Sequence, residues 1–119
     1  MAASVLIIDD DPVFRELAER LLVAAGLDVV SQAGSVGAGM SAAKAHEPDA
    51  ILLDIMLPDG NGVTPARAFA ALPWQPRVLL TSSSPDAAGL DEVHADGVVG
   101  FVPKQELPEA PLARLLGGP

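Results

Sequence analysis

The sequence has no cysteine and no tyrosine, and only 3% of its residues are aromatic. These absences exclude a disulfide framework and a thiolate metal site, and they require a core of aliphatic side chains and alanine. No apolar stretch approaches the roughly 20 residues that a bilayer span needs. The apolar run at residues 5–8 is too short for a signal peptide and follows no basic segment. We therefore predict a cytoplasmic protein with no membrane association.

Basic side chains are also scarce. Seven Lys and Arg residues face 16 Asp and Glu residues, which gives a net charge of −9. This balance opposes direct binding to nucleic acid or to anionic membranes, and it favours cations and basic partner surfaces. The length of 119 residues fits one domain, so we predict a single domain over residues 1–119.

Two kinds of segment alternate along the chain. Short β-branched or Leu-rich runs occur at residues 4–8, 28–31, 50–53, 78–80 and 98–102. Residues 5–8 and 51–53 are unbroken apolar runs, which are typical of strands covered on both faces of a parallel sheet. Helical patterns occupy residues 12–25, 35–46, 64–72, 86–95 and 107–116, and Pro111 should confine the regular part of the last one to its final turns. Right-handed crossovers between such units place helices on both faces of an open sheet. The predicted fold class is therefore α/β, with five strands and five helices.

The first predicted helix has the clearest boundaries. Asp11 is a suitable N-cap, Pro12 suits the first helical position, and Gly26 marks the end. Its apolar side chains suggest that one stripe faces the core, and this stripe comprises Val13, Leu17, Leu21 and Ala24. Its charged side chains are predicted to face away, and these are Arg15, Glu16, Glu19 and Arg20.

Polar side chains follow four of the predicted strands. Asp9 and Asp10 come after the first strand and Asp54 after the third, while Thr81 and Lys104 follow the fourth and fifth. The carboxyl ends of parallel strands meet at one edge of the sheet, so these side chains should converge there. Each alone is an ordinary turn or surface residue. Together, carboxylates about 4 Å apart repel by roughly 4 kcal/mol per pair, so the group should share a cation.

The donor set at this edge indicates which cation. Three carboxylates and one ammonium carry two excess negative charges, which one divalent ion would balance. The ligands are hard oxygens without nearby His or Cys, which favours Mg²⁺, with Mn²⁺ as a substitute, over zinc or copper. Mg²⁺ held by few carboxylates commonly acts beside a phosphate oxygen.

Four segments in order resemble response-regulator receiver domains, the phosphoacceptors of two-component signalling. They are VLIIDDDP (residues 5–12), DAILLDIMLPDGNG (49–62), RVLLTS (77–82) and GVVGFVPK (97–104). The resemblance covers essentially the whole chain. It implies a flavodoxin-like (βα)5 three-layer sandwich whose five-stranded parallel sheet has the order 2-1-3-4-5.

The resemblance also implies a role for each site residue. Asp54 would be the nucleophile that takes a phosphoryl group from a histidine kinase or phosphotransfer protein. Thr81 and Lys104 would bind the phosphate oxygens, and Thr81 and Phe101 would form the switch. The implied Mg²⁺ ligands are Asp10, Asp54 and the backbone carbonyl of Met56, with Asp9 holding the ion through a water. Phosphorylation would then change the surface made by the fourth helix, the fifth strand and the fifth helix.

The sequence departs from the family pattern at two places. Gln105 follows Lys104 where many receivers have proline, so a cis bond is not expected there, and Phe101 replaces the commoner tyrosine. A phosphorylation-independent interaction module is an alternative, although the acidic, hydroxyl and lysine positions are all kept. A Mg²⁺-dependent phosphohydrolase is less favoured, because Met56 stands where that class has a second aspartate. We expect no enzyme activity beyond self-phosphorylation and self-dephosphorylation. A downstream target, a fused output domain and a homodimer are all compatible with the sequence.

Overall fold

The computed structural model describes residues 2–61, 63–83 and 97–118. The strands are β1 (Ser4–Ile8), β2 (Asp28–Ala33), β3 (Ala50–Asp54), β4 (Met56–Leu57), β5 (Gly60–Asn61), β6 (Arg77–Ser82) and β7 (Val98–Pro103). The helices are α1 (Pro12–Ala24), α2 (Val36–His46), α3 (Val63–Ala70) and α4 (Leu112–Gly117), with a 3₁₀ helix at Lys104–Glu109. The helix predicted at residues 86–95 lies outside the described residues.

Five of these strands form one parallel sheet in the order β2-β1-β3-β6-β7. This order is 2-1-3-4-5 when only the five predicted strands are counted, so the α/β, flavodoxin-like prediction is confirmed. The short antiparallel pair β4–β5 was not predicted. Each of its strands has two residues, which is too short for a hydrophobic pattern to indicate.

Successive strand residues are buried on opposite faces of the sheet. Leu6 and Ile8 of β1 join a cluster with Phe69 on the side of α2 and α3. Val5 and Ile7 join the cluster on the side of α1 and α4. These four side chains are completely buried, which explains why residues 5–8 are an unbroken apolar run rather than an alternating one.

The predicted inward stripe of α1 is wrong at Val13, Leu17 and Ala24, whereas Leu21 is half-buried and packs against the core as predicted. Val13 is 75% exposed and Leu17 50% exposed, whereas the core-facing residues are Phe14, Ala18 and Leu22. The predicted boundaries hold, because Asp11 is the N-cap and its carboxylate accepts the Val13 N–H at 2.9 Å. Both stripes are apolar, and the inward one carries the Phe14 ring, which joins the core cluster on this side of the sheet.

The predicted helix at residues 107–116 is split by proline. The 3₁₀ helix ends at Glu109, and α4 begins at Leu112 with Pro111 as its N-cap. Because a proline has no N–H to donate and its ring blocks the preceding turn, a continuous helix through this position is unfavourable. The peptide bonds of the described residues are all trans, including the one after Lys104.

Helix α2 depends on partners outside its own sequence. Gly37 and Gly39 lower its intrinsic propensity. A Cβ at Gly39 would come within 2.6 Å of the Ile8 Cδ1 atom, so glycine is what allows α2 to lie close to β1. At its N-terminus, the Ser35 hydroxyl accepts the Ala38 N–H at 3.1 Å. The Asp59 carboxylate also caps this end of the helix.

Replacing Asp59 with asparagine should lower the melting temperature in a pH-dependent way. The Val36 and Gly37 N–H groups donate to its two oxygens at 2.8 and 3.0 Å, and these bonds lower the pKa of Asp59. A depressed carboxyl pKa stabilises the fold above the unfolded value of about 4, and this stabilisation is lost as the pH falls through the folded value. The difference in melting temperature should therefore be constant from pH 7 to pH 5 and shrink below about pH 4. A difference that grows on acidification would contradict this account.

Candidate functional site

The predicted site residues meet at the carboxyl edge of the sheet. Asp9 follows β1, Asp54 ends β3, and Thr81 lies in β6 directly opposite Asp54 in the strand register. Lys104 follows β7 and reaches the same place. The geometry therefore brings together all of the side chains that the strand-end argument selected, with Asp10 at the rim.

Three carboxylates form the centre of this edge. Asp9, Asp10 and Asp54 each present an oxygen within 4.8 Å of the other two. Asp9 and Asp54 are buried and Asp10 is exposed. A cluster of hard oxygens with one open side is suited to Mg²⁺, which keeps several waters while using few protein ligands.

The Lys104 ammonium is the cation that the described residues bring to this cluster. Its nitrogen lies 2.7 Å from Asp9 Oδ2 and 3.5 Å from Asp54 Oδ2, and its side chain is 16% exposed. The shorter contact is an ion pair with a fully buried carboxylate. The nitrogen also lies 4.1 Å from the centre of the Phe14 ring.

The pKa values of Asp9 and Lys104 are both raised at this site. Burial raises the pKa of Asp9, and the neighbouring Asp54 charge raises it further, while Lys104 and the Asp11 N–H lower it only in part. Burial alone would lower the pKa of Lys104, but the Asp9 and Asp54 carboxylates outweigh burial and raise it. Lys104 therefore stays charged, and its ammonium only partly offsets the effect of burial on Asp9.

Thr81 carries a buried hydroxyl that is left without a hydrogen-bond partner among the described residues. The side chain is completely buried at a strand position facing Asp54 in the register. A buried hydroxyl without a partner costs about 1–3 kcal/mol. A hydroxyl kept unpaired at such a cost beside a carboxylate cluster is a candidate hydrogen-bond donor to an anion that binds there.

The main chain after Asp54 shapes the floor of the pocket. The Met56 N–H donates to Asp54 Oδ1 at 2.9 Å, and the Ile55 N–H donates to the Thr81 carbonyl at 3.1 Å. The β4–β5 hairpin begins at Met56, whose side chain is exposed. Phe101, the predicted switch aromatic, is half-buried on β7 and packs against the core cluster on the α2 and α3 side.

Arg15 is a site residue that the sequence analysis missed, because it was predicted to face away. Its guanidinium donates to the Asp9 carbonyl at 2.6 Å and to the Gln32 side chain at 3.3 Å. It therefore anchors the main chain of the acidic turn at the Asp9 carbonyl. An available signal was its position early in α1, where a cation is unfavourable to the helix dipole unless a specific partner compensates.

A cavity of about 630 Å³ lies at the opposite edge of the sheet and does not involve these residues. Asp49, Trp74 and Arg77 are among its lining residues. The Trp74 indole N–H is satisfied there by the Pro48 carbonyl at 2.9 Å. The predicted site residues thus lie at the carboxyl edge of the sheet and not in this cavity.

Comparison with known proteins agrees with the geometry. The family model for the response regulator receiver domain matches residues 5–115. The chain belongs to this family. As a member of this family, the receiver domain has the role of a phosphoacceptor in two-component signalling.

Individual relatives define the extent of the similarity. The receiver domain is 40% identical over 102 residues to the DNA-binding transcriptional activator DevR/DosR of Mycobacterium tuberculosis, covering 84% of this chain and 46% of that protein. It is 27% identical over 104 residues to the chemotaxis protein CheY of Bacillus subtilis, covering 87% of both. The signal receiver domain of the putative response regulator NarL of M. tuberculosis superposes with a TM-score of 0.81 at 32% identity, over 99% of this chain and 98% of that one. The chain spans about half the length of DevR/DosR and of full-length NarL.

None of the helices in the described part of the receiver domain is long and apolar enough to cross a membrane.

Proposed function

We propose that the receiver domain accepts a phosphoryl group on Asp54 from a histidine kinase or phosphotransfer protein and acts as a cytoplasmic switch. The single observation that carries this proposal is the convergence of Asp54 and the Lys104 ammonium with the Thr81 hydroxyl, which has no hydrogen-bond partner among the described residues, at the carboxyl edge of the sheet. A carboxylate, an ammonium and a hydroxyl are a nucleophile and two ligands for phosphate oxygens. We expect no further enzyme activity from this domain.

The transfer consists of one bond made and one bond broken. An oxygen of Asp54 attacks phosphorus, and the bond from phosphorus to the donor imidazole nitrogen breaks with its electron pair left on that nitrogen. Negative charge on the transferring group spreads over its oxygens, so catalysis is mainly positioning and charge neutralisation. Lys104 supplies an ammonium 3.5 Å from the nucleophilic carboxylate, and Thr81 supplies a donor without a competing partner in the described structure.

The residues present fit a divalent ion. Asp9, Asp10 and Asp54 offer oxygens within 4.8 Å of one another. Burial raises the pKa of Asp9, so a nearby cation would favour its charged form. We propose that these three carboxylates and the Met56 carbonyl hold Mg²⁺, or Mn²⁺ in its place. When bound, the ion supplies neutralisation of the phosphoryl oxygens.

The switch is proposed to run from Thr81 to Phe101. Phosphorylation adds nearly two negative charges and strong acceptors at Asp54, which would draw the Thr81 hydroxyl toward them. Phe101 pairs in the register with Leu80, the residue before Thr81, so a shift of β6 acts directly on its neighbour strand. The predicted helix at 86–95, which would complete this surface, lies outside the described residues. A downstream protein, a fused output domain or a second copy would detect the change.

Substitution of the exposed face of α1 should slow phosphoryl uptake from a kinase and leave uptake from a small phosphodonor unchanged. Val13 and Leu17 are exposed on the helix that begins directly after the acidic turn, so they offer an apolar surface to a partner that approaches this turn. Val13→Arg and Leu17→Arg should each reduce transfer from the cognate kinase by about tenfold or more. Val23→Arg is the matched control, since Val23 is 57% exposed on the last turn of the same helix. Equal loss with both donors would place the defect in the pocket instead.

Intact mass spectrometry tests the proposed function. Incubation with a small phosphodonor and Mg²⁺ should add one phosphoryl group to the unaltered domain and none to Asp54→Ala. Asp28→Ala, which removes an exposed carboxylate at the far end of β2, is the matched control and should be modified normally. An adduct that survives in Asp54→Ala, or no adduct on the unaltered domain, would refute the proposal.

A further inference from the structure

We propose that Phe14 is a positioning residue for phosphoryl transfer, whose ring holds the Lys104 ammonium at the pocket while its carboxylate partners change. The inference rests on the proposed function and deepens it, since Phe14 has no place in the acidic, hydroxyl and lysine set. The observation behind it is the 4.1 Å separation between the Lys104 nitrogen and the centre of the Phe14 ring. This distance lies within the range of a cation–π interaction.

Among the described residues, the ammonium contacts two carboxylates and one aromatic ring. These contacts differ in whether a metal ion or a phosphoryl group would compete with the ammonium for them. Asp9 Oδ2 is 2.7 Å away and Asp54 Oδ2 is 3.5 Å away. A divalent ion in the acidic cluster would engage the first carboxylate, and a phosphoryl group would occupy the second. The Phe14 ring is the neighbour that neither of them engages. It can therefore hold the ammonium through every stage of the transfer.

The ring is suited to this task because its attraction is weakly directional. A lysine side chain has a flexible stem of four carbons, and a hydrogen bond to one oxygen fixes the ammonium in one place. The face of a ring attracts the charge over an area, so the nitrogen can pivot from the Asp9 side toward the Asp54 side without leaving it. The two oxygens lie at 2.7 and 3.5 Å from the same nitrogen, so the pivot is short.

The position of the ring is itself well determined. Phe14 is buried in the core cluster that includes Leu52 and Leu107, on an α1 helix whose start is fixed by the Asp11 cap. The next residue, Arg15, donates to the Asp9 carbonyl at 2.6 Å. The start of α1 therefore places a ring against the ammonium and a guanidinium on the main chain of its carboxylate partner Asp9.

A fluorinated phenylalanine series at position 14 separates the electrostatic role from packing. Mono-, di- and trifluorinated rings keep their shape and become more apolar, while the negative charge of the ring face decreases with each fluorine. Phosphoryl uptake from a small phosphodonor with Mg²⁺ should slow in step with fluorination, by about three- to tenfold across the series. Thermal stability should not fall in parallel. The same series at Phe69, buried in the opposite core cluster, is the matched control and should leave the rate unchanged.

Nuclear magnetic resonance gives a second measurement that does not depend on transfer. The ε-protons of Lys104 should be shifted upfield by the Phe14 ring, and this shift should disappear in Phe14→Leu. A phosphoryl-uptake rate that does not change with fluorination at position 14 would overturn the role of Phe14. Lys104 ε-protons without a ring-current shift would overturn it as well. If the unaltered domain takes up no phosphoryl group at all, the proposed function itself has failed, and this inference with it.

Discussion

Thr81→Val should make the unmodified receiver domain more stable and a poorer phosphoacceptor at the same time. Valine has nearly the shape of threonine, so the substitution removes the hydroxyl without leaving a cavity. That hydroxyl is fully buried and has no hydrogen-bond partner in the described structure. Its loss should raise the free energy of unfolding by about 1–2 kcal/mol.

The same substitution removes a donor that the phosphoryl group is proposed to use. A preorganised donor to a developing oxyanion commonly contributes tenfold or more to rate, so uptake in Thr81→Val should slow by at least about tenfold. Denaturant unfolding and a time course of intact mass measure the two effects. Thr81→Ser, which keeps the hydroxyl, is the matched control and should retain most of the rate. A variant that is both less stable and fully active would show that the hydroxyl is structural.

Neutralising the acidic pair should abolish most of the Mg²⁺ affinity. Asp9→Asn and Asp10→Asn each remove a charged oxygen from a cluster whose members approach within 4.8 Å. Loss of outer partners of a metal site typically costs 10- to 100-fold in affinity, and loss of a direct ligand should cost at least about as much. Asp11→Asn is the control, because Asp11 caps α1 and lies outside the cluster, and asparagine is also a good N-cap.

The two acidic variants should differ in their effect on Lys104. Asp9 is its nearer partner at 2.7 Å, so Asp9→Asn should lower the pKa of Lys104 toward its ordinary value. Asp10 is exposed and does not contact the ammonium in the ion pairs of the described structure, so Asp10→Asn should leave that pKa nearly unchanged. Titration calorimetry with Mg²⁺, together with the pH dependence of the Lys104 resonances, measures both effects. Equal affinity in the Asp10→Asn and Asp11→Asn variants would exclude Asp10 as a ligand.

The topology and the convergence of the site could be predicted because both depend on strand ends. An unbroken apolar run followed by aspartate indicates a buried strand and its carboxyl end, and parallel strands bring those ends together. Asp54 and Thr81 are paired in the strand register, as that reasoning requires. Sequence alone therefore predicted the neighbourhood of the nucleophile.

The details of α1 could not be predicted in the same way. Its sequence offers two apolar stripes, and the choice between them depends on tertiary contacts of the Phe14 ring and the Arg15 guanidinium. Helical periodicity detects an apolar face but does not weigh an aromatic contact against an aliphatic one. The Asp59 cap on α2 was missed for a related reason. It joins groups more than 20 residues apart, beyond the reach of any local capping pattern.

The most direct test of the central claim is to locate the phosphoryl group chemically. Borohydride reduces an aspartyl phosphate to homoserine, so trapping after treatment with a phosphodonor and Mg²⁺ marks the acceptor in a peptide map. Homoserine should appear at position 54, and it should be absent from Asp9, Asp10 and Asp59. Homoserine at another aspartate, or an adduct that resists reduction because it lies on a hydroxyl, would contradict the proposed acceptor.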